Sequence, residues 1–246
     1  MKEIIVIKLG GVAATSITPK FIKIVKEWQG QGKQIVIVHG GGFVIDDLMA
    51  NCQLPIEKLD GLRVTSKKAM ICVEQGLCQI VGPSLTQTLN DADLDALQIH
   101  QKLPQILNVD YLDQARYGQV GTVTGVSLDY ITKLLDQGII PVLPSMGQTE
   151  DGEWLNINAD DVASQLAVGL QAAQLIMMTD VAGVKESGNI LEQLTPQDVT
   201  QKIDSGIITG NMIPKVLGAT QAVLSGVGRV SIGQTLYGGT HVLKGA

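Results

Sequence analysis

Residues 4–13 read IIVIKLGGVA, Ile4 to Ala13: an apolar, largely β-branched run that ends in a lysine and two glycines. An apolar run without polar alternation suits a strand covered on both faces, as in parallel sheets. A second stretch, IVIVHGGGFVIDDL from Ile35, repeats the arrangement with a histidine and three glycines. A cationic side chain at the tip of a buried strand needs a partner, and Lys8 raises that question first.

The same rhythm continues along the chain. Ile4–Leu9, Ile35–Val38, Ile139–Leu143, Leu175–Thr179 and Val230–Ile232 read as strands. Thr18–Gln29, Phe43–Asn51, Ser66–Asn90, Leu128–Gln137, Asp160–Gly169, Pro196–Ser205 and Asn211–Ser225 read as helices. Strands alternating with helices predict an α/β fold with a mainly parallel open sheet. Thr18-Pro19 and Thr195-Pro196 are helix starts with a hydroxyl cap and proline at the first helical position. Residues 91–125 are polar, contain Pro104 and predict hairpin or loop excursions, and Asp151-Gly152 marks a further hairpin turn.

Bulk composition narrows the classes. Apolar residues make up 45% of the 246 and aromatics 3%, so aliphatic side chains must build the core. Net charge is −6, with no basic stripe of the kind a nucleic-acid binder shows. An anionic ligand therefore requires a locally positive pocket. Cys52, Cys72 and Cys78 are odd in number and lack metal-ligand spacing, so they read as reduced, mostly buried thiols. The N-terminal apolar run is too short for a signal peptide, and no stretch approaches the roughly 20 apolar residues of a membrane span. The expectation is a soluble cytoplasmic protein.

In open parallel sheets, ligands bind beyond the carboxyl ends of the strands, where both glycine clusters lie. Glycine there lets backbone N–H groups face an anion, and the following helix adds its positive N-terminal dipole. The alternative is that Gly10, Gly11 and Gly40–Gly42 make tight turns while Lys8 reaches solvent. Neither the GxGxxG dinucleotide pattern nor the Walker A pattern occurs, so any nucleotide is held by another scheme.

Three more stretches stand out. LNINADDVA places Asn156, Asn158, Asp160 and Asp161 before a helical pattern; Asn158 suits a cap, and the acids suit the first turn. GIITGNMIPKV places Lys215 early in a helix, where a cation is disfavoured unless an anion is near; the alternative is a solvated surface lysine. DGLRVT carries Arg63, which is either simply exposed or a fork for a planar carboxylate.

Taken together, KLGG at 8–11, HGGG at 39–42, GLRVT at 61–65, NINAD at 156–160, TDVAGV at 179–184 and GIITGNMIPKV at 206–216 resemble the amino acid kinase family. HGGG with GLRVT and N-x-N-A-D picks out the branch whose acceptor is N-acetyl-L-glutamate. The resemblance spans nearly the whole chain and implies a three-layer αβα sandwich with two lobes. Residues 1–173 or so would bind the acceptor and about 174–246 would bind ATP. It implies transfer of the γ-phosphoryl group of MgATP to the acceptor's side-chain carboxylate, in arginine biosynthesis. By motif, Lys8 and Lys215 would stabilise the transferring group, with Asp160 holding both lysines. Gly41, Gly42, Arg63, Asn156 and Asn158 would bind the acceptor. Gly10, Gly11, Asp180, Val181, Gly183, Lys185, Ile208, Thr209, Gly210 and Met212 would line ATP. No protein ligand for magnesium stands out, so ATP oxygens and water are expected to hold it.

The chemistry agrees with that resemblance. A glutamate-type carboxylate, with a pKa of about 4.3, is already a nucleophile at neutral pH, so His39, His100 and His241 can all be bystanders. Bringing it against a phosphate calls for positive charge and aligned donors. One departure stands at Ala96–Leu103, ALQIHQKL, where relatives carry a glycine- and serine-rich turn. The chain also begins at its first strand, without the N-terminal helix of arginine-inhibited hexamers, so an arginine-insensitive homodimer is expected. Other readings are a sister kinase acting on a modified aminoadipate, an inactive nucleotide or ligand sensor, and an oxidoreductase. The sensor has no use for Lys8, Asp160 and Lys215 together, and the oxidoreductase lacks its fingerprint.

Overall fold

The computed structural model describes residues 3–10 and 17–245. Gly11, one of the expected ATP-binding glycines, lies outside the described residues. An eight-stranded sheet runs, edge to edge, through Gln193–Leu194, Thr240–Val242, Val230–Gly233, Gln174–Met178, Ile4–Leu9, Gln34–His39, Ile140–Pro144 and Ala96–Gln98. Its strands pair in parallel except where Val230–Gly233 meets Thr240–Val242.

The sequence dictates the layers through simple alternation. Along the first two strands Ile5, Ile7, Ile35 and Ile37 face one core, shared with Phe21, Trp28, Leu85 and Leu89. Val6, Val36 and Val38 face the other, shared with Val162, Leu166, Val216 and Ala219. Helices cover both faces, which is the expected αβα sandwich. Pro19–Gly30 shows how one layer is built: the Thr18 hydroxyl accepts from the Phe21 amide at 3.2 Å, Pro19 opens the helix, and Phe21, Ile24, Val25 and Trp28 follow at helical spacing onto the sheet. Each such large side chain contributes roughly 1.5–3 kcal/mol by leaving water. Pro196–Asp204 starts on a reciprocal capping box, the Thr195 hydroxyl and Asp198 carboxylate each taking the other's backbone N–H.

Helix and strand boundaries otherwise fall within a residue or two of expectation. Two differences stand out. The expected single helix Ser66–Asn90 is Lys67–Glu74, a π-helical stretch Gln75–Val81, and Gly82–Asn90. Pro83 has no N–H to give the Gln79 carbonyl and its ring crowds that group, so a wider turn forms ahead of it. The freed Cys78 carbonyl accepts from the Gln98 side-chain amide at 3.0 Å, and a Cβ on Gly82 would lie 2.5 Å from that amide nitrogen. Gln98 belongs to the second difference: Ala96–Gln98 is the edge strand of the main sheet rather than an excursion.

The true excursion is a second sheet, ordered Leu107–Tyr111, Val120–Val126, Trp154–Ile157, Met146–Gln148, which includes the hairpin at Asp151-Gly152. The cysteines are mostly buried, as expected: Cys72 and Cys78 are buried, Cys52 is exposed, and all three are free. Among the described residues no helix is long and apolar enough to cross a membrane.

His39 closes the second strand, fully buried, with Nδ1–H donating to the Gly40 carbonyl at 3.2 Å and Nε2 without a partner among the described residues. Burial drives its pKa from 6.5 down to about 4, against a smaller upward pull from Gly40. The folded ring is neutral while the unfolded chain takes a proton below pH 6.5. Stability from this group is therefore complete above pH 6.5 and lost progressively as pH falls to about 4, a change of about 3 kcal/mol. His241, its pKa also lowered by burial, acts with the same sign. Urea midpoints measured between pH 7 and 5 should fall in the natural chain and fall less in His39→Gln; equal slopes would contradict the assignment.

Candidate active site

Lys8 lies on the valine side of its strand, facing the Ala159–Gly169 helix, with its side chain only 5% exposed. Its Nζ donates to the Met178 carbonyl at 3.1 Å on the neighbouring strand and forms an ion pair with Asp160 Oδ1 at 2.8 Å. Asp160 sits in the first turn of its helix, where the Asn158 side chain caps by accepting from the Asp160 amide at 2.9 Å. Asp161 fixes that turn to the second sheet by accepting from the Thr122 hydroxyl and the Val123 amide. The other Asp160 oxygen, Oδ2, takes Lys215 Nζ at 2.9 Å. Lys215 lies near the start of Met212–Leu224, and Asp160 is the anion its position called for.

One carboxylate thus joins two ammonium groups 207 positions apart in the chain, leaving a net positive charge. Burial alone would push the Asp160 carboxyl up; Lys8 and then Lys215 outweigh it and hold it below the usual carboxylate range.

Arg63 stands across the cleft on the hairpin Lys58–Leu59/Leu62–Arg63. Asp60 and Gly61 form its turn with φ of 52° and 81°, the left-handed pair that Asp-Gly favours. Asp60 is in turn held by Arg116 Nη2 at 2.7 Å and the Tyr117 hydroxyl at 2.6 Å. Arg63 is buried, donating through Nη2 to the Gly42 carbonyl at 3.1 Å and through Nη1 to Asp46.

Lys8, Gly10, Gly42, Arg63, Asn158, Asp160 and Lys215 together line a cleft of about 640 Å³. Lys58, Phe43, Asp180, Val181 and Met212 also line it. Four of its lining side chains are cations and two are carboxylates, in a chain whose net charge is −6. This is the locally positive pocket an anionic ligand requires.

An adjoining cavity of about 550 Å³ shares Asp180, Val181 and Met212 with that cleft and adds Gly183, Lys185, Ile208 and Thr209. Gly183 has φ of 150°, and a Cβ there would lie 2.9 Å from Ile190 and Thr240 side chains.

The remaining expected residues fall differently. Gly41 precedes the Gly42–Asn51 helix, buried over Leu77, and does not line the cleft. Asn156 does not line it either: its amide donates to the Thr65 hydroxyl at 3.1 Å, which donates to the Arg63 carbonyl at 2.9 Å. Gly210, with φ of 55°, turns the chain before Met212–Leu224 and lines neither cavity.

Sequence reasoning passed over Lys58, Asp46 and Gln234. Gln234 lines the second cavity and donates to the Asp180 carbonyl at 2.7 Å. The Asp-Gly turn was a usable signal for Lys58, because a two-residue hairpin sets it opposite Arg63. Asp46 and Gln234 meet their partners only through tertiary folding.

A sequence model of the amino acid kinase family matches residues 3–234. The acetylglutamate kinase of Streptococcus sanguinis is 49% identical over 245 residues, covering 100% of both chains. A crystal structure from Streptococcus mutans UA159 superimposes with a TM-score of 0.94 at 45% identity, again covering 100% of each chain. Carbamate kinase from Giardia lamblia, bound to AMP-PNP, shares the fold at a TM-score of 0.74 and 17% identity over 99% of each chain.

Proposed function

Since the chain belongs to the amino acid kinase family, we propose that it transfers the γ-phosphoryl group of ATP to the side-chain carboxylate of N-acetyl-L-glutamate. The observation that carries this reading is the Lys8–Asp160–Lys215 bridge inside a cleft that also holds Arg63. The full-length likeness to acetylglutamate kinases supports it.

The residues suit the reaction. The attacking carboxylate is ionised at neutral pH, so no base is needed, and Asp160, committed to two lysines, is not available as one. The barrier is the approach of two anions. Lys8 and Lys215 stabilise the charge on the transferring oxygens from fixed positions that need no rearrangement. Arg63 takes the acceptor's second carboxylate, with Asn158 and the Gly42 backbone nearby. The cavity lined by Asp180, Val181, Gly183, Lys185, Ile208, Thr209 and Met212 holds the nucleotide.

In this reading residues up to about 173 serve the acceptor and those beyond serve ATP. Magnesium would enter on phosphate oxygens and water, supplying charge neutralisation: both Asp160 oxygens are taken by lysines, leaving Asp180 as the cleft's other carboxylate. A cytoplasmic homodimer belongs to the same proposal.

Hydroxylamine traps acyl phosphates, so the test is hydroxamate formation with MgATP and a panel of acceptors. N-acetyl-L-glutamate should react, while glutamate, aspartate and N-acetyl-aminoadipate should not. A hydroxamate from another acceptor alone would overturn the substrate, and ATP binding without any turnover would favour a sensor. Arg63→Ala loses charge-assisted bonds of roughly 1.5–3 kcal/mol, so KM for the acceptor should rise about 10–100-fold. An unchanged acceptor KM would place the arginine outside the acceptor site.

A further inference from the structure

A second carboxylate in the same cleft region is clamped between two cations. Asp46, on the Gly42–Asn51 helix, meets Arg63 Nη1 through Oδ1 and Lys58 Nζ at 3.6 Å through Oδ2. The arrangement parallels Lys8–Asp160–Lys215, and both cations line the cleft while Asp46 stands behind them. Arg63 is held from that side in three ways: by Asp46, by the Gly42 carbonyl at 3.1 Å and by Met49 Sδ at 3.5 Å. All three belong to one helix, so the guanidinium is locked to the element that begins at the glycine turn.

We propose that Asp46 is a positioning residue for the acceptor. It fixes the plane of the Arg63 fork and holds Lys58 beside it, so that the free edge of the guanidinium meets the second carboxylate of a dianionic acceptor. Planar two-point recognition depends on that plane, and a supporting group that sets it acts on binding without touching the ligand. The inference rests on the reading of Arg63 as the acceptor's anchor and deepens it.

Charge alone predicts the opposite effect, and this makes the idea testable. Asp46 is an anion beside a site for an anion, so its removal should strengthen acceptor binding if field strength were all that counted. Positioning predicts weaker binding.

The experiment compares the full chain with Asp46→Asn, Asp46→Ser, Arg63→Ala and the Asp46→Asn/Arg63→Ala double variant in the hydroxamate assay. Asp46→Asn should raise KM for N-acetyl-L-glutamate about tenfold, the effect of removing the charge that clamps Arg63 and Lys58, with KM for ATP and kcat changed less than about twofold. In the Arg63→Ala background the same substitution should add nothing. Asp46→Ser, shorter and uncharged, replaces Asp46→Asn if that variant fails to fold. An acceptor KM at or below that of the unsubstituted protein, or a full effect without Arg63, overturns the proposal and leaves the kinase reading standing. No hydroxamate from the unsubstituted protein with any acceptor overturns both.

Discussion

Lys8→Ala and Lys215→Ala should each lower kcat by about 10²–10³, the usual effect of deleting one preorganised electrostatic group. The geometry gives the reason. Each ammonium is fixed before any ligand binds, Lys8 by Asp160 and the Met178 carbonyl and Lys215 by Asp160, so neither has to be ordered during the reaction. Replacing Lys8 with arginine should not restore the rate, because a buried slot shaped by Met178 and Asp160 fits a compact ammonium rather than a planar fork. The two lysines share one carboxylate and act on one phosphoryl group, so the double alanine variant should lose less than the product of the two single losses. Steady-state kinetics with saturating acceptor checks this, and a kcat within threefold of normal in either single variant would remove that lysine from the mechanism.

Asp160→Ala should be the most damaging change to stability at the site. It strips Lys8 of its counter-ion and leaves a nearly buried ammonium with the Met178 carbonyl as its remaining described partner. Breaking a buried pair from one side costs about 3–5 kcal/mol, or roughly 6–20 °C in Tm for a chain of this size. Activity should fall as well, by at least about 10²-fold, since Lys8 and Lys215 then lose the carboxylate that fixes both in place. Asp160→Asn keeps the shape but turns an NH₂ group toward one ammonium, so it should recover little. Thermal unfolding together with kcat decides the matter. An Asp160→Ala protein of normal Tm and normal or raised kcat would mean that the aspartate only weakens the field of the two lysines.

The placement of these lysines was legible because each broke a local rule. A cation ending an apolar strand and a cation opening a helix both call for an anion, while Asp160 as the residue holding both came from the family resemblance alone. The layers were legible for a similar reason: a run such as Ile4–Leu9 is buried on both faces, and only helices on both sides of a sheet provide that. Elsewhere the local pattern was silent. Asn158 was legible as a cap and caps its helix, but nothing local to Asn156 showed that it braces Thr65 from a strand. The stretch Ala96–Leu103, which departs from the family pattern, does structural work here: Gln98 satisfies a carbonyl freed by the π-helical turn, and Leu103 is fully buried in the core. Lys58, Asp46 and Gln234 became visible only once distant segments were brought together.

A crystal structure with MgADP, aluminium fluoride and N-acetyl-L-glutamate measures directly where the transferring group sits. The fluoride is expected between the two lysines, with Lys8 Nζ and Lys215 Nζ each about 2.7–3.1 Å from a fluorine, Asp160 still bridging them, and the acceptor carboxylate in line on the Arg63 side. A fluoride bound beyond reach of either ammonium, or an acceptor whose side-chain carboxylate points away from it, would contradict the account.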